Sequence, residues 1–177
     1  MKNKDFIRII GIDPGIATLG FGIIDKYREK ESYLNCGVIT TSADLSLSDR
    51  LMQIYEDLNR LIKTFNPDVV AIEELFFNTN AKTAISVAQG RGVAILAFKQ
   101  SSLPIYEYTP LQVKQAVVGY GRADKRQIME MVKRLLSLTA YPKPDDAADA
   151  LAVALCHSRS STSLLHKIKG EGSCSTI

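Results

Sequence analysis

Ile9-Ile10-Gly11-Ile12-Asp13-Pro14-Gly15 is the stretch on which the reading of the fold turns. A β-branched run that ends in an aspartate and then meets Pro-Gly reads as a buried strand that delivers a carboxylate to a sharp turn. The strand begins at Phe6 and is interrupted only by Arg8. Asp-Pro-Gly is also an ordinary turn with Asp in its first position, which accounts for Asp13 taken alone. Moving outward, residues 20–27 read as a second strand, Arg28-Glu29-Lys30 as a turn and residues 32–41 as a third strand. Links this short make the three an antiparallel meander.

The period then changes. Leu51, Ile54, Tyr55, Leu58, Leu61, Ile62 and Phe65 recur at helical spacing. Ser48 is the expected N-cap, and Asn66-Pro67 ends the helix. Residues 68–73 have a continuous apolar middle, as a parallel strand covered on both faces would, and they end in Glu73. A second helix is expected from 81 to about 99. It carries Gly90 and Gly92, each costing about 1 kcal/mol relative to Ala. Close approach of another backbone would compensate, and a partner subunit is one source of it; a kink is the alternative. Residues 104–109 read as a fifth strand. Val113, Ala116 and Val117 mark a third helix closed by Gly119 and Gly121, and Ile128, Met131, Val132, Leu135 and Leu136 a fourth. Tyr141-Pro142-Lys143-Pro144 is a stiff connector. The last helix opens at Asp145-Asp146, with Asp145 as its expected N-cap. The order implies one α/β domain over residues 1–158 with an RNase H-like, five-stranded mixed sheet, three antiparallel strands then two parallel, flanked by helices. Residues 159–177, rich in Ser, Gly and Thr, are expected to form a poorly ordered tail.

At 177 residues and 46% hydrophobic, the chain can bury one substantial core, which excludes wholesale disorder. The net charge of +3 is too small to establish a polyanionic partner, so its distribution decides. Lys114, Arg122, Lys125, Arg126, Lys133 and Arg134 face only Asp124 and Glu130 between positions 109 and 134. That zone is basic; solvated helix faces would also produce it. Cys36, Cys156 and Cys174 have neither metal-ligand nor disulfide spacing, and two of them sit in apolar surroundings suited to a core. The first residues do not read as a secretory leader, and a reducing cytoplasm is the expected compartment.

Asp13, Glu73, Asp146 and Asp149 then form a pattern. Two end strands, and two lie at i, i+3 near a helix start, where like charges repel. Ligands gather beyond the carboxyl ends of adjacent parallel strands, so Asp13 and Glu73 meet if their strands are neighbours. Glu74 competes with Glu73 but points to the other face. Asp149 lies among Ala147, Ala148, Ala150, Leu151 and Ala152, where an uncompensated carboxylate is expensive. Oxygen donors of this kind suit Mg²⁺, with Mn²⁺ a substitute, and a pair of such ions cleaves phosphodiesters. The expected products carry a 5′ phosphate and a 3′ hydroxyl. His157 and His166 lack ligand spacing and are assigned surface or helix-end roles.

Five stretches resemble the RuvC family of Holliday-junction resolvases: Gly11-Ile12-Asp13-Pro14-Gly15, Ala71-Ile72-Glu73, residues 89–94, residues 113–119 and residues 146–152. The similarity runs in the family's order over residues 9–157. It implies a homodimer that nicks four-way DNA junctions symmetrically in recombination and repair. It also implies two divalent ions per active site, with Asp13, Glu73, Asp146 and Asp149 as ligands. Some relatives carry a histidine in the last acidic motif; Asp146 takes the aspartate form here. By the same resemblance Lys114 and Lys125 lie near the scissile phosphate; Arg122 and Arg126, from the basic zone, are expected to bind DNA beside them. Phe76 would stack on bases at the junction centre; a core Phe is the structural alternative. The RuvA–RuvB branch-migration machine is the implied partner, and short thymine-containing sites the implied preference. Three rivals are weaker. The ATP-binding fold of sugar kinases and actin needs a second lobe. An RNA-processing relative does not explain the Phe76 loop. A junction-binding module without cleavage leaves four acids that would only repel DNA.

Overall fold

The computed structural model describes residues 5–75 and 81–170, with side chains over 5–75 and 84–160. The meander is β1 (Ile7–Asp13), β2 (Thr18–Tyr27) and β3 (Lys30–Thr40), followed by α1 (Leu47–Phe65) and β4 (Val69–Glu73). Then come α2 (Ala81–Gln100), β5 (Ile105–Tyr108), α3 (Pro110–Val118), α4 (Lys125–Leu135) and α5 (Asp145–Gly170). The strands form one sheet in the order β3-β2-β1-β4-β5, antiparallel across β3, β2 and β1 and parallel across β1, β4 and β5.

Alternation along the strands divides the core into two layers. Ile10, Ile12, Val70 and Ile72 face Ile54 and Leu58 of α1 and Ala94, Ala97 and Phe98 of α2. Ile9, Ala71 and Tyr108 face the opposite layer, built from Val113 and Val117 of α3, Ile128 and Val132 of α4, and Leu151–Cys156 of α5. The central strands are covered on both sides, which explains why β4 reads as an unbroken apolar run.

Local signals set most ends. Ser46, not Ser48, caps α1: its hydroxyl accepts from the Asp49 N–H at 3.2 Å, and it lies 2.8 Å from the Ser48 hydroxyl. Both serines can cap, and the one that reaches N3 wins. Asn66 closes α1 in the left-handed conformation, φ 47°. Capping boxes at Thr109–Gln112 and Asp124–Gln127 start α3 and α4, and Gly119 at φ 94° ends α3.

Two differences concern α5. Asp145 is its first residue rather than its cap, because the Pro144 carbonyl already accepts from the Ala147 N–H at 3.0 Å. The helical backbone also runs on to Gly170, past residue 158 where the sequence reading placed the end of the domain. Extending an existing helix needs one hydrogen bond per residue and no new nucleus, so the missing apolar period did not mark the helix end. Cys36 is a half-buried and Cys156 a buried free thiol, as expected of core residues. Among the described residues no helix is long and apolar enough to cross a membrane.

Candidate active site at the carboxyl ends of β1 and β4

Strands β1 and β4 are parallel neighbours, in register from Ile9↔Val69 to Ile12↔Ile72. Asp13 and Glu73, the next residue of each, therefore emerge side by side at the same sheet end. Alternation from Ile9 and Ala71 turns both toward the α5 layer. There the first turns of α5 bring Asp146 and Asp149.

What lets α5 come so close is a patch of glycines on the sheet. A Cβ on Gly11 would lie 2.1 Å from the Ala150 carbonyl oxygen, one on Gly20 2.1 Å from the Asp146 carbonyl oxygen, and one on Gly22 2.6 Å from the Leu151 nitrogen. Gly11 pairs with Gly22, and Asp13 with Gly20, across β1 and β2. The patch thus forms a flat seat under the alanine-rich face of α5, where Ala147, Ala150 and Ala154 are fully buried. These glycines read as strand residues in the sequence. Their spacing opposite the small residues of the last helix was the available signal.

The electrostatics show what this packing costs. Burial first, then the charges of Glu73, Asp149 and Asp146, push Asp13 up to about 8. Glu73 is raised to about 6, by burial and by Asp149, while a hydrogen bond with Asp13 and the Lys114 charge pull it back. Asp149 is also raised by burial, against Lys125. The Lys125 ammonium lies 3.2 Å from Asp149 and 3.4 Å from Asp145. Burial lowers the Lys125 pKa, but these two carboxylates outweigh it and the net shift is upward. Among the described residues no ion pair joins a cation to Asp13 or Glu73, so holding both ionised at neutral pH requires further positive charge.

Glu73, Lys114, Lys125 and Asp149 line one cavity walled by Val113 and Ile128. The structure therefore gathers the four acids and both lysines at one sheet end. The acids are not drawn into a cage: among the described residues no three acidic, histidine or cysteine side chains converge tightly enough to grip one metal ion as they stand. Asp13 and Glu73 share a hydrogen bond, while Asp149 leans on Lys125. The donor set is oxygen only, and its two most perturbed members are charges that a hard cation would neutralise, so the residues fit a divalent ion of the Mg²⁺ type.

Other expectations fall differently. Arg122 and Arg126 are exposed, the first just before α4 and the second in its first turn. Phe76 lies outside the described residues. His157 is not at the surface: it is 6% exposed, its Nδ1 is 2.7 Å from the Tyr108 hydroxyl, and Tyr106 packs on its ring at 4.7 Å. Burial lowers it to about 4, so the imidazole is neutral. The surface or helix-end assignment rested on the absence of ligand spacing, which says nothing about burial, and α5 is still covered by the sheet at this turn.

Sheet order, the β4–α2–β5 crossover and carboxylates at adjacent strand ends define the class as an RNase H-like α/β domain. Residues 9–157 match the family described as Crossover junction endodeoxyribonuclease RuvC, and the chain belongs to that family. It is 57% identical over 152 residues to the crossover junction endodeoxyribonuclease RuvC of Ruminiclostridium cellulolyticum, covering 86% of this chain and 92% of that one. Among solved structures it is similar to Thermus thermophilus RuvC in complex with a Holliday junction substrate, at TM-score 0.83 and 36% identity over 88% of this chain and 94% of that one. The yeast mitochondrial Holliday junction resolvase Ydc2 shares the fold at TM-score 0.70 and 18% identity, over 93% and 84% of the two chains.

Proposed function

We propose that the protein is an endonuclease that resolves four-way DNA junctions by paired symmetric nicks, leaving 5′ phosphate and 3′ hydroxyl ends. The observation that carries this is the meeting of Asp13, Glu73 and Asp149 at one strand end with more negative charge than Lys125 and Lys114 neutralise. Family membership and the junction complex of the Thermus relative support the substrate.

In this reading Asp13, Glu73, Asp146 and Asp149 hold two Mg²⁺ ions, with Mn²⁺ as a substitute. Such ions, when bound, activate the attacking water and stabilise the leaving 3′ oxygen. The chain's own residues do the rest. The carboxylates orient the ions and exclude other counter-charges. Lys114, in the same cavity as Glu73, meets the scissile phosphate. Lys125 exchanges its hold on Asp149 for a phosphate oxygen. Arg122 and Arg126 take backbone phosphates further out, and Phe76 stacks on bases at the junction centre, worth about 1–3 kcal/mol per base.

A junction has two strands of like polarity to cut, so a homodimer with twofold symmetry suits it. The outward face of α2, with exposed Ile85, Gly92 and Leu96, is the proposed contact; a Cβ at Gly92 would meet nothing within 4 Å in the single chain. The proposed setting is the cytoplasm, in recombination and repair, beside the RuvA–RuvB branch-migration complex.

The test is to incubate the purified protein with a synthetic four-way junction, a linear duplex and an RNA–DNA hybrid, each with and without Mg²⁺. Paired nicks in the junction alone, and only with the metal, are expected. Preferential cutting of the hybrid, or junction cutting without a divalent ion, would overturn the proposal. Phe76→Ala should slow junction processing without lowering the melting temperature; a mutant that unfolds would make Phe76 a core residue.

A further inference from the structure

Helix α2 touches both strand ends that carry the candidate ligands, at consecutive residues. Gly90 is buried against the turn after Asp13, where an added Cβ would stand 3.2 Å from the Gly15 carbonyl oxygen. Arg91 reaches the other strand: its Nε donates to the main-chain carbonyl of Glu73 at 3.2 Å. Its Nη2 pairs with Glu107 of β5, and the Arg91 side chain is only 17% exposed.

That carbonyl has a specific need. The β1–β4 ladder ends at Ile12↔Ile72. Continuing it would take an N–H from position 14 of β1, and Pro14 has none. The Glu73 carbonyl therefore loses its sheet partner at the point where the Glu73 carboxyl must be aimed. Arg91 supplies the missing donor, and Glu107 fixes the guanidinium in place. A fork of fixed geometry presents both donors in a set direction, whereas an ammonium is a point charge on a flexible stem.

We propose that Arg91 is a positioning residue: through the carbonyl of Glu73 it sets the direction of that carboxylate toward the metal site, with Glu107 as its anchor. The proposal rests on the metal-dependent junction nuclease described above. It also makes α2 a direct link between its outward face and the site.

The experiment compares wild type, Arg91→Gln, Arg91→Lys and Glu107→Gln. It measures Mn²⁺ binding to the protein without DNA, the Mg²⁺ concentration for half-maximal junction cutting, junction affinity in Ca²⁺, and the melting temperature. Residues that orient a metal ligand typically carry about 10–100-fold in metal affinity or activity. Arg91→Gln should weaken Mn²⁺ binding by about tenfold and raise the Mg²⁺ requirement in parallel, with junction affinity unchanged. Arg91→Lys should not rescue, because it keeps the charge but not the fork, and Glu107→Gln should lie between. Unaltered metal binding in Arg91→Gln, with or without a lower melting temperature, would overturn the proposal. So would full rescue by lysine, which would reduce Arg91 to a counter-charge for Glu107. Failure of the wild type to bind Mn²⁺ or cut the junction would instead sink the nuclease reading, and this inference with it.

Discussion

At its amino end, β1 carries Arg8, whose Nε meets Asp25 at 2.7 Å and whose second terminal nitrogen meets the same carboxylate at 2.9 Å. Its other nitrogen donates to the Phe65 carbonyl at 2.6 Å, and its main-chain N–H to Asp68 at 2.8 Å. At the carboxyl end of the same strand, Asp13 meets Glu73, Asp149 and Asp146, all of its own sign, with Lys125 opposing them. Both ends are partly buried. At the first end Arg8, Asp25 and Asp68 are fixed to one another. The other is left open, and an open site of one sign is what a mobile cation and a polyanion require. Charge compensation, rather than burial, separates the structural end from the functional one.

The contrast can be attacked at each end. The largest effects belong to the acids. Asp13→Asn, Glu73→Gln, Asp146→Asn and Asp149→Asn should each lower single-turnover junction cutting by about 10²–10³-fold, the range seen when one electrostatic group is removed from a reacting centre. Asp13→Asn should not lower the melting temperature at pH 7.5. Asp13 is pushed up to about 8 in the folded state from an ordinary 3.8, so between those values ionisation opposes folding, and the amide removes that opposition. An Asp13→Asn protein that melts several degrees lower would show that the charge already has a partner.

At the other end, Arg8→Met should destabilise by about 2–3 kcal/mol, somewhat below the 3–5 kcal/mol typical of breaking a fully buried pair. It should leave the cutting rate well below the melting temperature unchanged. Urea unfolding alongside cleavage assays checks both, and a cutting defect in a folded Arg8→Met protein would break the division between the ends.

Gly20→Ala tests the seat. The added methyl collides with the Asp146 backbone and should cost about 1–3 kcal/mol by overpacking. It should also reduce cutting, because relief requires α5 to move with both of its aspartates. Equal activity in a destabilised mutant would show that the sheet yields instead of the helix.

The smallest effect is the pH dependence. Lowering the pH from 8 relieves Asp13 and favours the folded state. His157 acts the other way: burial holds it at about 4, below the ordinary 6.5. Its neutral form costs nothing above pH 6.5, and its burial penalty grows as the pH falls from there toward 4. At pH 5.5 this amounts to about 1 kcal/mol. Subtracting the stability profile of His157→Phe from that of wild type should isolate the loss. A flat difference between pH 7 and 5 would place His157 in water.

Much of this was legible beforehand, element by element. The apolar run into Asp13 and the continuous run into Glu73 read as strands because burial on two faces leaves a local mark. The helical period from Leu51 to Phe65 was equally plain. The cap of α1 was misread by two residues because adjacent serines offer the same chemistry, and only geometry chooses between Ser46 and Ser48. His157 was misread because a lone histidine carries no period.

The sequence alone determined the order of strands and helices and the placement of an acid at the end of each relevant strand, since local burial and turn chemistry are written in neighbouring residues. It also carried the motifs that mark the family. Tertiary structure alone decided that Gly11, Gly20 and Gly22 form a seat for α5, that Lys125 takes Asp149, that Arg91 replaces the donor Pro14 lacks, and that Tyr108 buries His157. Each of these joins elements that are separate in the chain. Their meeting depends on how two helical layers settle on a sheet, which no periodicity within one element encodes.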